Sequence, residues 1–204
     1  MSNLANEDLP RQRQQIRDEA LRRRNQIADG ESLSLRVFDR LTAQPEFLRA
    51  HTILMYLDVR SEVRTRWYLP TLWAEGRRVV VPSCQAEGLA LFHITSLDQL
   101  APRTMQILEP RRELLELAKH EVAPGELDLL IIPGVAFDRR GDRLGYGKGH
   151  FDRLLHQVRP DAAKIAVCFE CQVIPEIPAM PHDIRMDKVV TEGSIYPPQA
   201  SGQE

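Results

Sequence analysis

The run Leu127-Asp128-Leu129-Leu130-Ile131-Ile132, stopped by Pro133-Gly134, is too short for a helix and too apolar to face water on either side. That is the pattern of a β-strand buried on both faces, the kind that forms parallel sheets covered by helices. Similar runs recur at Thr52-Ile53-Leu54-Met55-Tyr56-Leu57, at Arg78-Val79-Val80-Val81 before Pro82, at residues 164–169, and more briefly at Lys188-Val189-Val190-Thr191. Residues 89–94 form a further candidate strand, and Val135-Ala136-Phe137 reads as a short extension of the run before it.

Between these runs the apolar period changes to that of a helix. Residues 11–28 are good helix formers with six arginines by position 24 and Ile16, Ala20 and Ile27 in phase, so a basic amphipathic helix is expected. Residues 32–48 repeat the pattern through Leu33, Val37, Phe38, Leu41 and Phe47, with Ser32 as the expected N-cap. Residues 67–75, closed by Gly76 and missing one donor at Pro70, and residues 151–158 complete the set. The stretch from Ile107 to Val122 has no clear period. Strands alternating with helices imply a single-domain, three-layer α/β/α fold with a mostly parallel central sheet and a ligand crevice at the strands' carboxyl ends. The domain is placed at residues 11–196, between an N-terminal extension, residues 1–10, and a C-terminal tail, residues 197–204.

A chain of 204 residues supports one sizeable core. Its net charge of −2, from 27 basic and 29 acidic side chains, provides no overall attraction for nucleic acid or anionic membranes, so any anion site must be local. No apolar run approaches the roughly 18 residues that span a bilayer, and the first residues lack the apolar centre of a signal peptide. A cytoplasmic monomer with small-molecule partners, and neither nucleic acid nor membrane, is expected. Cys84, Cys168 and Cys171 are too few for a disulfide framework. The Cys168-Phe169-Glu170-Cys171 spacing is that of a redox pair, but Cys168 ends an apolar run, which favours plain packing.

The densest chemical signal follows the clearest strand. In residues 137–153, glycines at 141, 145, 147 and 149 let successive backbone N–H groups converge, and a helix start follows. Arg143 and Lys148 add full positive charge, while Asp138 and Asp152 are candidate ligands for a magnesium ion. The loop is not a Walker A motif, because Gly149 rather than Ser or Thr follows Lys148. Nor is it a dinucleotide loop, because His150 stands where a third glycine is needed. From the residues alone it reads as an anion-binding loop, with a solvated turn as the alternative.

The segment Pro133-Gly134-Val135-Ala136-Phe137-Asp138, followed by Gly141-Asp142-Arg143-Leu144-Gly145-Tyr146-Gly147-Lys148-Gly149-His150-Phe151-Asp152, closely resembles the signature of the 5-formyltetrahydrofolate cyclo-ligase family. Weaker resemblance extends from about residue 13 to residue 192. It implies ATP- and Mg²⁺-dependent closure of 5-formyltetrahydrofolate to 5,10-methenyltetrahydrofolate, with release of ADP and phosphate through a phosphorylated formyl intermediate.

The resemblance also implies roles for individual residues. Arg13 and Arg17, one turn apart on the first helix, would contact the ATP phosphates, as the paired donors of arginine suit. Arg143, Leu144, Gly145, Tyr146, Gly147, Lys148, Gly149, His150 and Phe151 would complete the ATP site, with Lys148 and Arg143 catalytic. Leu57 and Glu62, with Tyr146, Gly147, Lys148, Gly149 and His150, would contact the folate, the Glu62 carboxylate accepting paired hydrogen bonds from the pterin. Asp152 would hold Mg²⁺ together with Asp187, from the second motif His182-Asp183-Ile184-Arg185-Met186-Asp187. His182 is a poor magnesium ligand and is left out of the set.

Two departures stand out. His150-Phe151 replaces the family's usual Tyr-Tyr or Phe-Tyr, and Ser83 replaces a commonly basic residue after Pro82. They keep open an ATP-dependent kinase or ligase for another small anion. A non-catalytic folate- or nucleotide-binding regulator, or an RNA binder using the arginine-rich helix, is the other alternative.

Overall fold

A computed structural model of the chain describes residues 4–86, 88–103 and 107–197. In chain order the first half holds α1 (Leu4–Asn25), α2 (Gly30–Thr42), α3 (Pro45–Arg49), β1 (Thr52–Met55), α4 (Leu69–Ala74), β2 (Arg78–Gln85), β3 (Gly88–Ile94), β4 (Leu100–Pro102), β5 (Leu108–Pro110) and α5 (Arg112–Leu115). The second half holds β6 (Leu129–Ile132), β7 (Ala136–Asp138), β8 (Arg143–Leu144), α6 (His150–Leu155), β9 (Ala163–Val167), β10 (Val173–Ile174), β11 (Lys188–Val190) and β12 (Ile195–Tyr196).

The apolar runs assemble into a seven-stranded sheet of order β12-β11-β9-β6-β1-β2-β3. Its five inner strands are parallel, and β3 and β12 close the edges antiparallel. Because side chains alternate along a strand, each inner strand feeds two cores. Ile53, Met55, Val79 and Ile131 pack with Val37, Phe38, Leu41, Leu69 and Leu72 from α2 and α4. Leu54, Val80, Leu130 and Ile132 pack on the other face with Phe137, Leu154, Leu155 and Val189. Full burial of such side chains contributes about 1.5–3 kcal/mol each, which is why these runs specify the sheet so strongly. The three-layer architecture expected from the alternation is therefore the one observed.

Several element boundaries differ from the sequence reading. The first helix starts at Leu4 and runs through Pro10, so the helix reaches into the expected N-terminal extension. The second starts at Gly30, where the Asp29 carboxylate accepts the Ser32 N–H at 3.0 Å. Ser32 is thus capped rather than capping. That helix stops at Thr42, and α3 restarts with Pro45 in its first turn, where the missing N–H costs nothing. Arg66–Tyr68 form a 3₁₀ turn before α4, whose first turn holds Pro70, and Gly76 follows at φ 72°.

Strand β2 continues through Pro82 because its pairing with β1 ends at Val80, leaving one edge without a neighbour to need the lost donor. Residues 135–137 do not extend β6. Instead β7 pairs with β8 and β10 in a separate three-stranded sheet. The irregular stretch before Val122 holds the β4–β5 hairpin and α5. Helix α6 ends at Leu155, short of the expected Val158. Among the described residues no helix is long and apolar enough to cross a membrane. Residues 1–3 and 198–204, parts of the expected extension and tail, lie outside the described residues.

Candidate active site

Where the parallel strands end, the chain leaves the sheet as Tyr56-Leu57 after β1, Cys84 near the end of β2 and Pro133 after β6. These residues line one cleft of about 540 Å³. Its other walls come from Arg13 and Arg17 of α1, from Gly145 to Asp152, and from His182 and Asp183. The crevice sits at the carboxyl ends of the strands, as a doubly covered parallel sheet requires.

The glycine-rich loop is built on the β7–β8 hairpin. Asp138 is fully buried, and its oxygens accept the N–H groups of Arg140 at 2.9 Å, Asp142 at 3.1 Å and Ile177 at 3.0 Å. Those bonds occupy a carboxylate that fixes the turn, so the expectation of Asp138 as a metal ligand fails. Strand β8 turns Arg143 toward the cleft and Leu144 away from it. Leu144 packs with Ala20, Val135, Ala136 and Ile177, so its side chain does not reach the cleft. Arg143 is buried; its Nη2 donates to Asp152 Oδ1 at 2.5 Å, its Nη1 to the Pro133 carbonyl at 3.3 Å, and its guanidinium lies 5.7 Å from the Phe151 ring centre.

Beyond β8 the backbone takes left-handed conformations at Gly147 (φ 93°) and Gly149 (φ 65°), which a side chain would strain. Lys148 between them is exposed, and among the described residues no carboxylate lies within ion-pair distance of it. Arg17 donates from Nε to the Gly145 carbonyl at 2.9 Å, tying α1 to the loop. Burial and the neighbouring Arg13 charge lower the Arg17 pKa, and among the described residues it forms no ion pair. Two cations thus line the cleft without a direct ion-pair partner among the described residues. Burial, Arg153 and Lys148 together lower the His150 pKa, and its Nδ1 lies 2.9 Å from an Arg153 donor, so a neutral ring accepting at Nδ1 is the species at neutral pH.

Arg13 is committed differently. It is buried and gives both terminal nitrogens to Asp183, at 2.6 and 3.1 Å, and one also to the Pro178 carbonyl at 2.8 Å. Asp183 and Asp152 are the aspartates of the two motifs that face the cleft. Asp187 is not brought there. Its Oδ2 accepts the Lys164 N–H at 2.7 Å and lies 3.0 Å from Lys164 Nζ, at the amino end of β9 and so at the end of the strands away from the cleft. The expected pair Asp152 and Asp187 is therefore not brought together; Asp152 and Asp183 share the cleft, but Arg13 and the Met180 N–H, 2.8 Å from Oδ2, occupy the Asp183 oxygens. Among the described residues no group of three or more potential metal ligands comes together, so Mg²⁺ arriving with a nucleotide would depend on phosphate oxygens and water as well as on Asp152.

On the facing wall, Leu57 and Glu62 both line the cleft as expected. Glu62 is buried, with Oε2 accepting the Val59 N–H at 3.0 Å and Oε1 accepting the Tyr146 hydroxyl at 2.9 Å. Burial raises its pKa, against the lowering effects of the Val59 N–H, Arg24 and Tyr146. Sequence reasoning missed Arg24, whose Nη2 donates to the Tyr146 oxygen at 2.9 Å. Its distance along α1 from Arg17 and Arg13 puts all three on one helical face, which could have singled it out from Arg22 and Arg23. Ser83 is fully buried and donates to Glu109 Oε2 at 2.7 Å, so it positions a cleft-lining carboxylate instead of meeting a ligand. Cys168 is a buried free thiol, as packing predicted.

With this geometry in view, comparisons with known proteins are specific. A model of the 5-formyltetrahydrofolate cyclo-ligase family matches residues 10–192. The chain is 32% identical over 187 residues to the 5-formyltetrahydrofolate cyclo-ligase of Mycolicibacterium smegmatis, covering 89% of this chain and 94% of that one. It is 30% identical over 164 residues to the Escherichia coli protein of the same name, covering 77% and 86%. The solved structure of Aquifex aeolicus 5,10-methenyltetrahydrofolate synthetase superposes with a TM-score of 0.80 at 28% identity, over 94% of this chain and 95% of that one.

Proposed function

The chain belongs to the 5-formyltetrahydrofolate cyclo-ligase family, and from that premise we propose that it closes 5-formyltetrahydrofolate to the 5,10-methenyl form at the expense of ATP. The observation that carries this reading is the division of one cleft into two walls. Unpaired Arg17 and Lys148 stand beside the Gly145–Gly149 backbone on one side, and the buried acceptor Glu62 with apolar Leu57 stands on the other.

In the proposed reaction the N5-formyl oxygen attacks the γ-phosphorus as the bond to ADP breaks. N10 then attacks the formyl carbon, phosphate leaves with that oxygen, and the N10 proton passes to solvent. Each step needs orientation and charge stabilisation more than a protein nucleophile. Lys148 and Arg17 would hold triphosphate oxygens, and the loop N–H groups would add donors that cost no reorganisation. Arg143, held by Asp152 and Pro133, would keep a fixed positive charge near the transferring group. Glu62 would accept the pterin amino group and ring N–H in place of the Tyr146 hydroxyl. Asp152 would be the cleft carboxylate for Mg²⁺, which neutralises phosphate charge when bound.

The test is direct: absorbance of the methenyl product is followed with 5-formyltetrahydrofolate, ATP and Mg²⁺, and with each omitted in turn. Product that forms without ATP, or no product in the complete mixture, would overturn the proposal.

A further inference from the structure

Arg24 lies in the last turn of α1 and is only 1% exposed. Among the described residues no carboxylate pairs with it directly. A buried guanidinium left that way is costly, and an apolar side chain would fill the same space more cheaply. Its donors instead go to three separate loops, those after β1, β6 and β8. Nε donates to Ser61 Oγ at 3.1 Å, Nη1 to the Gly134 carbonyl at 3.4 Å and Nη2 to the Tyr146 oxygen at 2.9 Å. Ser61 adjoins Glu62, Gly134 follows β6, and Tyr146 belongs to the glycine-rich loop.

The direction of these bonds is forced. A guanidinium only donates, so the Tyr146 oxygen must accept from Arg24, and its own proton is then aimed at Glu62 Oε1, 2.9 Å away. The charge of Arg24 is answered through the phenol by a buried carboxylate on the facing wall. We propose that Arg24 is a positioning residue for recognition of the folate: it fixes the polarity of the Tyr146 phenol and holds the two walls in register around Glu62. This rests on the functional reading above. The groups that act most on Glu62 are Arg24, Tyr146, the Val59 N–H and Asp58. Arg24 is the one cation among these four, so its removal lets burial and Asp58 raise the Glu62 pKa further.

Two variants separate charge from geometry. Arg24→Met loses both, while Arg24→Lys keeps the charge and loses the fork. In the methenyl assay, Arg24→Met is expected to raise KM for 5-formyltetrahydrofolate about tenfold or more, with KM for ATP unchanged within about twofold. The acid limb of the kcat/KM profile for the folate should move to higher pH. In Arg24→Lys the folate KM should rise as well, but the acid limb should stay at its wild-type position. A wild-type folate KM in Arg24→Lys overturns the positioning role, and this variant decides alone if Arg24→Met fails to fold. Parallel rises in both KM values, or an unmoved acid limb in a folded Arg24→Met, also overturn it. If the wild-type protein makes no methenyl product, the functional reading falls first, a result distinct from any variant-specific effect.

Discussion

Arg13 and Asp183, 170 positions apart in the sequence, meet in a two-bond ion pair with nitrogen–oxygen distances of 2.6 and 3.1 Å. The pair fastens the segment from Pro178 to Asp183 to α1 at the edge of the cleft, so the chain's two ends share one wall.

That pairing has a pH signature. Burial pushes the Asp183 carboxyl up, but the Arg13 hydrogen bonds and the Met180 N–H outweigh it and hold the group below its ordinary value. A depressed folded-state pKa contributes stability that is fully present above the unfolded value of about 3.9 and is lost as pH falls through the folded one. Asp183→Asn should therefore lower stability at neutral pH by about 2 kcal/mol. The gap between variant and wild-type melting temperatures should close below about pH 4. A gap that stays constant into that acid range would show that the pair does not titrate with the fold.

Lys148 makes a sharper catalytic test because its side chain is exposed and has no intramolecular ion partner among the described residues. Lys148→Ala should cut turnover by about 100-fold or more while leaving the melting temperature within about 1 °C of wild type. Near-normal turnover in this variant would remove Lys148 from the catalytic set.

Gly141 tests the opposite property. It has φ +90°, and an added Cβ would lie 2.5 Å from the Met186 carbonyl oxygen. Its own carbonyl accepts the Met186 N–H at 2.9 Å, so neither backbone can retreat. Gly141→Ala should cost about 2 kcal/mol or more, seen as a lower midpoint in urea at unchanged slope. A midpoint equal to wild type would mean that the 186 segment yields. This glycine serves the close approach of two chain segments, unlike the loop glycines at 147 and 149.

How much could be read in advance follows from how each residue signals. Leu54, Val80 and Ile131 were legible because burial on both faces leaves a near-continuous apolar run, and the sheet follows from it. The two residues of β8, Arg143 and Leu144, were not, since alternation needs more than one period to show. Motif resemblance located the loop but pointed to Asp187, whereas Asp183 is the aspartate of the second motif that lines the cleft. That depends on Asp187 being held by Lys164 at the amino ends of the strands. Arg24 looked like Arg22 and Arg23 in composition, but its helical phase with Arg13 and Arg17 sets it apart, and packing of α1 buries it while Arg22 and Arg23 stay solvated and bind Glu19.

The same contrast yields the metal prediction. If Mg²⁺ is held on the cleft side, Asp152→Asn should raise the Mg²⁺ concentration for half-maximal rate about tenfold or more, since one of its hard ligands is lost. The lost ion pair with Arg143, at 2.5 Å in the wild type, would also free that guanidinium, so KM for ATP must be measured alongside to separate the two effects. Asp187→Asn should leave the Mg²⁺ requirement at its wild-type value, because that carboxylate is 46% exposed and engaged with Lys164 away from the cleft. Initial rates against Mg²⁺ at saturating ATP, with calorimetric titration of the Mg²⁺–nucleotide complex, provide both readouts. A shifted requirement in Asp187→Asn with none in Asp152→Asn would reverse the assignment and place the ion at the amino end of the sheet.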